Sequence, residues 1–220
     1  MYFEKSNGAG FLQVDLVVYH GIFEDDFDLI TALSLWRGPC FPNAFGMMNC
    51  RLKLPCLSRA LRISSFGAIR GMIPPGQSIN SSRKIVAKWG NWHCGENKEN
   101  FEGKWMSSAT SVLEPFFDGT AVRIVIVGNE FLQIEMDGDN WLKSIHHDNA
   151  RIVNVDEKLL EDSFKLKEAF GLEIIANDYI LGNDDNRYLL EVNHIPNMTR
   201  FKELQNIYLS NVFEWLEKHS

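Results

Sequence analysis

The chain has no long apolar run, no close cysteine pair and no surplus of positive charge. Nowhere in its 220 residues does a hydrophobic stretch approach the roughly 18–20 residues that cross a bilayer. Residues 1–10 also lack the basic-then-apolar order of a secretory signal, so a cytoplasmic protein is expected. Only four cysteines occur (Cys40, Cys50, Cys56, Cys94), and none form a Cys-x-x-Cys pair. Free thiols are expected rather than a disulfide framework, and adjacent His93 and Cys94 are poor geometry for a zinc site. With 22 Lys and Arg against 29 Asp and Glu, the net charge of −7 argues against a general nucleic-acid binder. Repeats and low-complexity tracts are missing too. Aromatic residues are not scarce: 15 Phe and 6 Trp carry more apolar surface than a disordered chain would. The length suits one large domain or two small lobes.

The pattern along the chain reads as α+β. Residues 14–19 are apolar apart from Asp15 and predict a mostly buried strand. Phe27, Ile30 and Leu33 recur at helical spacing, predicting a helix over 25–36, capped by Asp25 or Asp26 and ended by Gly38-Pro39. Pro55 suits a first helical turn, so 55–61 is a second helix. Residues 71–82, with Pro74-Pro75-Gly76 and several serines, predict a loop. Strands are expected at 84–88 and 111–117, and at 122–127 and 130–136 around the hairpin signal Gly128-Asn129. Residues 156–170 predict an amphipathic helix with Gly171 as its C-cap. Strands at 172–181 and 187–193 enclose a polar turn, and a helix over 199–219 closes the chain. A parallel βα beginning therefore precedes mostly antiparallel strands after residue 80.

The hairpin near the C-terminus carries the densest chemistry. Glu191 and Asn193 are two apart on one strand and share a face. If the turn is residues 183–186, Gly182 pairs with Arg187, and counting back sets Asp178 opposite Glu191. Their Cβ atoms would then lie about 5 Å apart, an arrangement that repels unless a cation sits between. Two carboxylates and a carboxamide are the oxygen-donor set of magnesium or manganese, with phosphate oxygens completing the coordination. The same residues also read as an exposed acidic sheet face.

Asp178, a hairpin, and then Leu190-Glu191-Val192-Asn193-His194-Ile195-Pro196-Asn197 resemble the C-terminal signature of ATP-grasp enzymes. The resemblance implies that Asp178, Glu191 and Asn193 bind the Mg2+ ions (Mn2+ as an alternative) that bridge ATP phosphates. Residues 83–90 resemble the family strand ending in a phosphate-binding lysine, here Lys88; read by itself, Lys88 is an ordinary solvated strand end. Residues 112–119 resemble the hinge that reads adenine, with Glu114, Phe116 and Phe117 as matching positions; read alone, they form a core strand and turn. Arg123 stands where the peptide-ligase branch has the arginine of Gly-x-Asp-x-Arg, a side chain able to hold a phosphate or acyl phosphate bidentately. The acid of that run is Ala121 here, with Asp118 as the candidate substitute on the ribose side, and the loop after Lys88 is poorer in glycine than the family's flap. Arg51 falls near a first phosphate-binding basic position and Lys143 near a basic residue on the product side; both also read as solvated surface charges.

The style of sequence is similar to ribosomal-protein–glutamate ligase and its glutathione-synthase-like relatives. The resemblance implies an α+β ATP-grasp fold of two lobes clasping ATP, 51–113 as the N-lobe and 114–220 as the C-lobe with the metal site. A shortened pre-ATP-grasp α/β segment at 1–50 would precede them. It further implies an ATP- and magnesium-dependent carboxylate–amine or carboxylate–thiol ligase working through an acyl phosphate on small-molecule or peptide substrates. A hydroxyl kinase, a nucleotide-binding regulatory protein without turnover, and a structural α+β domain outside the family are the alternatives. With the N-terminal segment so short, a small or partner-supplied acceptor is expected, or a homo-oligomer that completes the site. His146-His147 reads as either an acid/base pair or solvated loop histidines.

Overall fold

Residues 119–127 and 174–182 are apolar on both faces apart from a few polar side chains, so each strand needs cover on both sides. The computed structural model, which describes residues 1–23, 26–91, 97–183 and 185–219, puts both inside a five-stranded sheet. The N-terminal third holds β1 (Tyr2–Glu4), β2 (Phe11–Gln13), β3 (Val17–Val18), α1 (Asp26–Trp36), β4 (Cys40–Phe41), α2 (Ala44–Arg51) and α3 (Lys53–Ile63). The middle holds β5 (Gly71–Ile73), β6 (Ser78–Trp89), β7 (Lys98–Met106) and β8 (Ser111–Pro115). The rest comprises β9 (Gly119–Val127), β10 (Glu130–Glu135), β11 (Arg151–Val153), α4 (Glu157–Phe170), β12 (Ile174–Gly182), β13 (Arg187–Asn193) and α5 (Lys202–His219). The class is α+β, as expected.

One sheet is ordered β5-β8-β6-β7 and the other β11-β10-β9-β12-β13, and both are antiparallel throughout. Ahead of them, β3 and β4 pair in parallel across α1. Alternation along β9 sorts its side chains. Val122, Ile124 and Ile126 join Leu159, Leu166 and Phe170 of α4 in one core. Ala121, Val125 and Val127 join Leu204 and Val212 of α5 in another. Arg123 and, opposite it, Asp178 belong to this second face. The helix α5 covers one end of that face, and the other end, with Arg123, looks toward the four-stranded sheet.

Local chemistry fixes the element ends. Asp156 caps α4, accepting from the Lys158 and Leu159 N–H groups, while its other oxygen takes Arg187 at 2.6 and 2.9 Å, tying the helix start to β13. Gly171 ends the helix in the left-handed region at φ 66°. Gly119 opens β9 at φ 154°, where a Cβ would stand 2.1 Å from the Leu181 carbonyl oxygen. Gly119→Ala should therefore cost more than about 1 kcal/mol, read as a lower urea midpoint at unchanged m-value.

Several expectations need correction. Residues 71–82 are not a loop: only the Pro74–Gln77 turn is, and its flanks enter β5 and β6. The expected strand at 14–19 pairs only at Val17–Val18, and the closing helix starts at Lys202. Asp25 lies outside the described residues; Asp26 opens α1 and reaches back to the Phe23 N–H at 2.9 Å. Helix α2 and strand β7 were not anticipated. Cys40, Cys50 and Cys56 are buried free thiols, burial pushing Cys40 up to about 12, whereas His93 and Cys94 lie outside the described residues. No described helix is long and apolar enough to cross a membrane.

Candidate functional site

The two sheets enclose two adjoining cavities of about 270 and 570 Å³. The smaller is an apolar slot formed by Val86, Ala121, Met136, Ile180 and Leu190, bordered by the 114–119 connection. The larger continues past Asp178, Glu191 and Asn193 to His20, His146 and Pro196.

Asp178 does face Glu191, but by a different count from the expected one. The turn is wider, so Leu181 rather than Gly182 pairs with Arg187, which taken alone would slip the register by one residue. A β-bulge restores it: between Asp178 and Tyr179 the partner jumps from Glu191 to Leu189, leaving Leu190 as the extra residue. Leu190 and Glu191 consequently both face the cleft, one closing the apolar slot and the other facing Asp178.

The bulge frees backbone groups that the four-stranded side satisfies. The Leu189 N–H donates to the Phe66 carbonyl at 3.0 Å, Arg70 Nη2 donates to the Leu189 carbonyl at 2.8 Å, and Lys88 Nζ to the Leu190 carbonyl at 3.4 Å. Glu114, 3% exposed, sits between both cations, with Oε2 2.9 Å from Arg70 Nε and Oε1 2.5 Å from Lys88 Nζ. Within the protein, then, Glu114 is the counter-ion of Lys88 and Arg70. The Phe116 N–H is taken by the Lys84 carbonyl at 3.0 Å, and the Phe117 ring stacks on Tyr188 at 4.1 Å. Asp118 accepts from Asn183 Nδ2 at 3.2 Å and lines the slot beside Phe117.

On the opposing sheet, Arg123 grips Asp178 bidentately at 2.6 and 2.8 Å. Burial by itself would weaken the guanidinium charge, and the Asp178 carboxylate more than restores it. Lys53 Nζ lies 3.6 Å from Glu191 Oε2. Lys143 lines both cavities, held by Asp137 at 3.2 Å and the Gly138 carbonyl at 2.9 Å. Arg51 is elsewhere: it is buried against Asp26, and its Nη2 donates to the Phe23 carbonyl at 2.8 Å. The basic side chain of that segment that reaches a cleft residue is Lys53, two residues on, which meets Glu191 but lines neither cavity.

Asp178, Glu191 and Asn193 all line the larger cavity, and Asn193 Nδ2 is buried without a hydrogen-bond partner. Among the described residues no three His, Cys, Asp or Glu side chains converge, so a cation here would be held by two carboxylates and an amide. Hard oxygen donors beside a polar cavity fit Mg2+ or Mn2+ better than zinc. The whole arrangement interleaves Lys53, Lys88, Lys98 and Arg123 with Glu114, Asp178 and Glu191, next to an apolar slot. Such a surface can hold a polyanion together with its metal, and a flat apolar group beside it.

Solved structures with this architecture agree on one fold. The chain is similar to the ATP-grasp ligase PsnB complexed with a minimal precursor, at TM-score 0.60 and 13% identity, covering 100% of this chain and 86% of that one. The chain has the ATP-grasp fold. It is similar also to D-alanyl-alanine synthetase A from Vibrio cholerae O1 biovar eltor str. N16961 (TM-score 0.65, 14% identity, 96% of this chain and 77% of that one). A third similar structure is the macrocyclase MdnC bound with precursor peptide MdnA from Microcystis aeruginosa MRC (TM-score 0.61, 15% identity, 93% and 81%). No family model and no curated protein matches the sequence. Of the positions matched to the ATP-grasp pattern, Lys88, Glu114, Phe116, Phe117, Asp118, Arg123, Lys143, Asp178, Glu191 and Asn193 border these cavities, and Arg51 does not. The atypical flap falls mostly on residues 92–96, outside those described. Sequence reasoning missed Lys53, Lys98 and Arg70, whose roles arise from pairing across elements and leave no local motif.

Proposed function

We propose that this chain binds ATP with magnesium in the cleft and uses it to activate a carboxylate for attack by an amine or a thiol. The observation that carries the reading is the facing of two charged rows: lysines on the β6–β7 side over the Asp178–Glu191 pair, alongside an apolar slot. In support, solved structures of the same fold are described as ligases, some complexed with ATP or with Mg and ADP. The proposed lobes are 51–113 and 114–220, with 1–50 ahead of them, and a relationship to the ribosomal-protein–glutamate ligase branch belongs to the same proposal.

The adenine takes the slot between Val86 and Leu190, reading the backbone around Phe116 and Phe117, with Asp118 near the ribose. Lys88 holds the α/β-phosphates as a point charge. When bound at Asp178, Glu191 and Asn193, magnesium offsets the charge gathering on the phosphate oxygens. A substrate carboxylate oxygen attacks the γ-phosphorus and the bond to ADP breaks, leaving an acyl phosphate near Arg123 and Lys143. The amine or thiol then attacks the acyl carbon, and inorganic phosphate departs. The protein's part is alignment and charge neutralisation. Acyl phosphates react with hydroxylamine, so a panel of amino acids and short peptides incubated with ATP, Mg2+ and hydroxylamine should yield a hydroxamate and ADP. A stable phosphoester with no hydroxamate would identify a hydroxyl kinase and overturn the ligase reading.

One observation favours a second reading. Ala121 lines the slot and is buried, so it supplies no polar group where the family has an acid. A nucleotide-binding protein without turnover would bind ATP with magnesium yet release no ADP in any of these mixtures.

A further inference from the structure

We propose that Lys98, on β7, holds the terminal phosphate of the bound nucleotide and so divides the polyphosphate with Lys88. The inference rests on the nucleotide reading above and adds a residue and a role to it. In the β6–β7 register Lys98 is the direct cross-strand partner of Lys88. Like charges placed directly opposite each other repel, and an anion between them is what makes such a pair favourable.

The two lysines are not equivalent. Lys88 is neutralised by Glu114 at 2.5 Å. Among the described residues no carboxylate stands within ion-pair distance of Lys98, whose ammonium lies 6.0 Å from the centre of the Trp141 ring. Burial lowers its ammonium below the usual lysine range; Glu191 and Asp178 counter this, and Lys53 and Lys88 add to it. A half-buried cation of this kind, crowded by other cations, gains from a bound anion.

Position decides which phosphate it meets. Lys88 borders only the apolar slot, whereas Lys98 lines both cavities, together with Asp178, Glu191 and Lys143. A phosphoryl group passing from nucleotide to acceptor crosses that shared wall. The γ-phosphate therefore falls to Lys98, and the α/β-phosphates to Lys88.

The test compares Lys98→Met and Lys98→Arg with wild type, using a non-hydrolysable ATP analogue, ADP and inorganic tripolyphosphate, each with Mg2+. Lys98→Met should weaken the ATP analogue and tripolyphosphate by about tenfold or more while ADP changes less than about twofold, and Lys98→Arg should restore most of the loss. Without ligand, Lys98→Met should leave Tm unchanged or raise it, because cross-strand repulsion is removed; a structural cation would give the opposite sign. Equal losses for ATP analogue and ADP, or no loss for either, would overturn the proposal. If wild type binds tripolyphosphate in a Lys98-dependent way but no nucleotide, the anion role stands and the nucleotide reading fails. If it binds neither, both fall.

Discussion

Glu114→Ala will destabilise the protein by about 3–5 kcal/mol, the cost of leaving buried charges unpaired. The carboxylate is enclosed with Arg70 and Lys88, whose side chains are only 6% and 7% exposed, so its removal strands two cations. Both also donate to carbonyls at the β13 bulge, so the loss reaches the residues that aim Glu191. At the 2–4 °C per kcal/mol typical of a chain this size, Tm should fall by roughly 6–20 °C. Lys88→Met leaves Glu114 paired to Arg70 and should cost less, about 1–3 kcal/mol. The double variant should be less destabilised than the sum of the single ones, since the partners share one network. Additive losses in thermal or urea unfolding would show that the three side chains do not act together. In the proposed reading, where Lys88 holds a phosphate, Glu114 sets how much of the Lys88 charge is available to it.

Asp178→Asn and Glu191→Gln should remove most of the magnesium dependence of nucleotide affinity. Each exchanges a charged oxygen donor for a neutral amide while keeping shape. The loss should be at least about tenfold, the lower end of what disturbing even an outer partner of a metal ligand costs. The two differ in their side effects. Asp178→Asn also releases Arg123 from its bidentate pair and should lower stability measurably, whereas Glu191→Gln leaves that pair in place. Titrating the analogue with Mg2+ and with EDTA separates the effects, because a stability defect shifts both conditions alike. Variants that keep the full magnesium enhancement would place the metal elsewhere.

The acidic hairpin was legible in the sequence because strand periodicity alone puts Glu191 and Asn193 on one face. The pairing of Asp178 with Glu191 came out right through two departures that cancel, a wider turn and a bulge at Leu190. Neither has a sequence signal, since Leu190 is as apolar as the Leu189 before it and the bulge is held by Arg70, Lys88 and Phe66 from outside the hairpin. Helix α4 was read with its cap, its face and its Gly171 stop, all local features. Strand β7 was not, because Lys98–Met106 is charged, interrupted by Gly103, and strand only through its ladder with β6. Helix α2, with Gly46 and Asn49 in its interior, lacks both propensity and a clear apolar stripe, and tertiary contacts hold it. Arg51 matches the family's first phosphate-binding basic position only approximately, and the chain turns at Leu52, so Arg51 points to Asp26 and Lys53 to Glu191. Motifs carried by one element were readable; partners joined across elements were not.

In the proposed function this cleft holds a nucleotide through a metal seated on Asp178 and Glu191. Calorimetric titration of wild-type protein with a non-hydrolysable ATP analogue, in Mg2+ and then in EDTA, tests it most directly. Saturable one-to-one binding, at least about tenfold tighter with Mg2+, is the expected result. Equal affinity in the two conditions, or no binding in either, would contradict it.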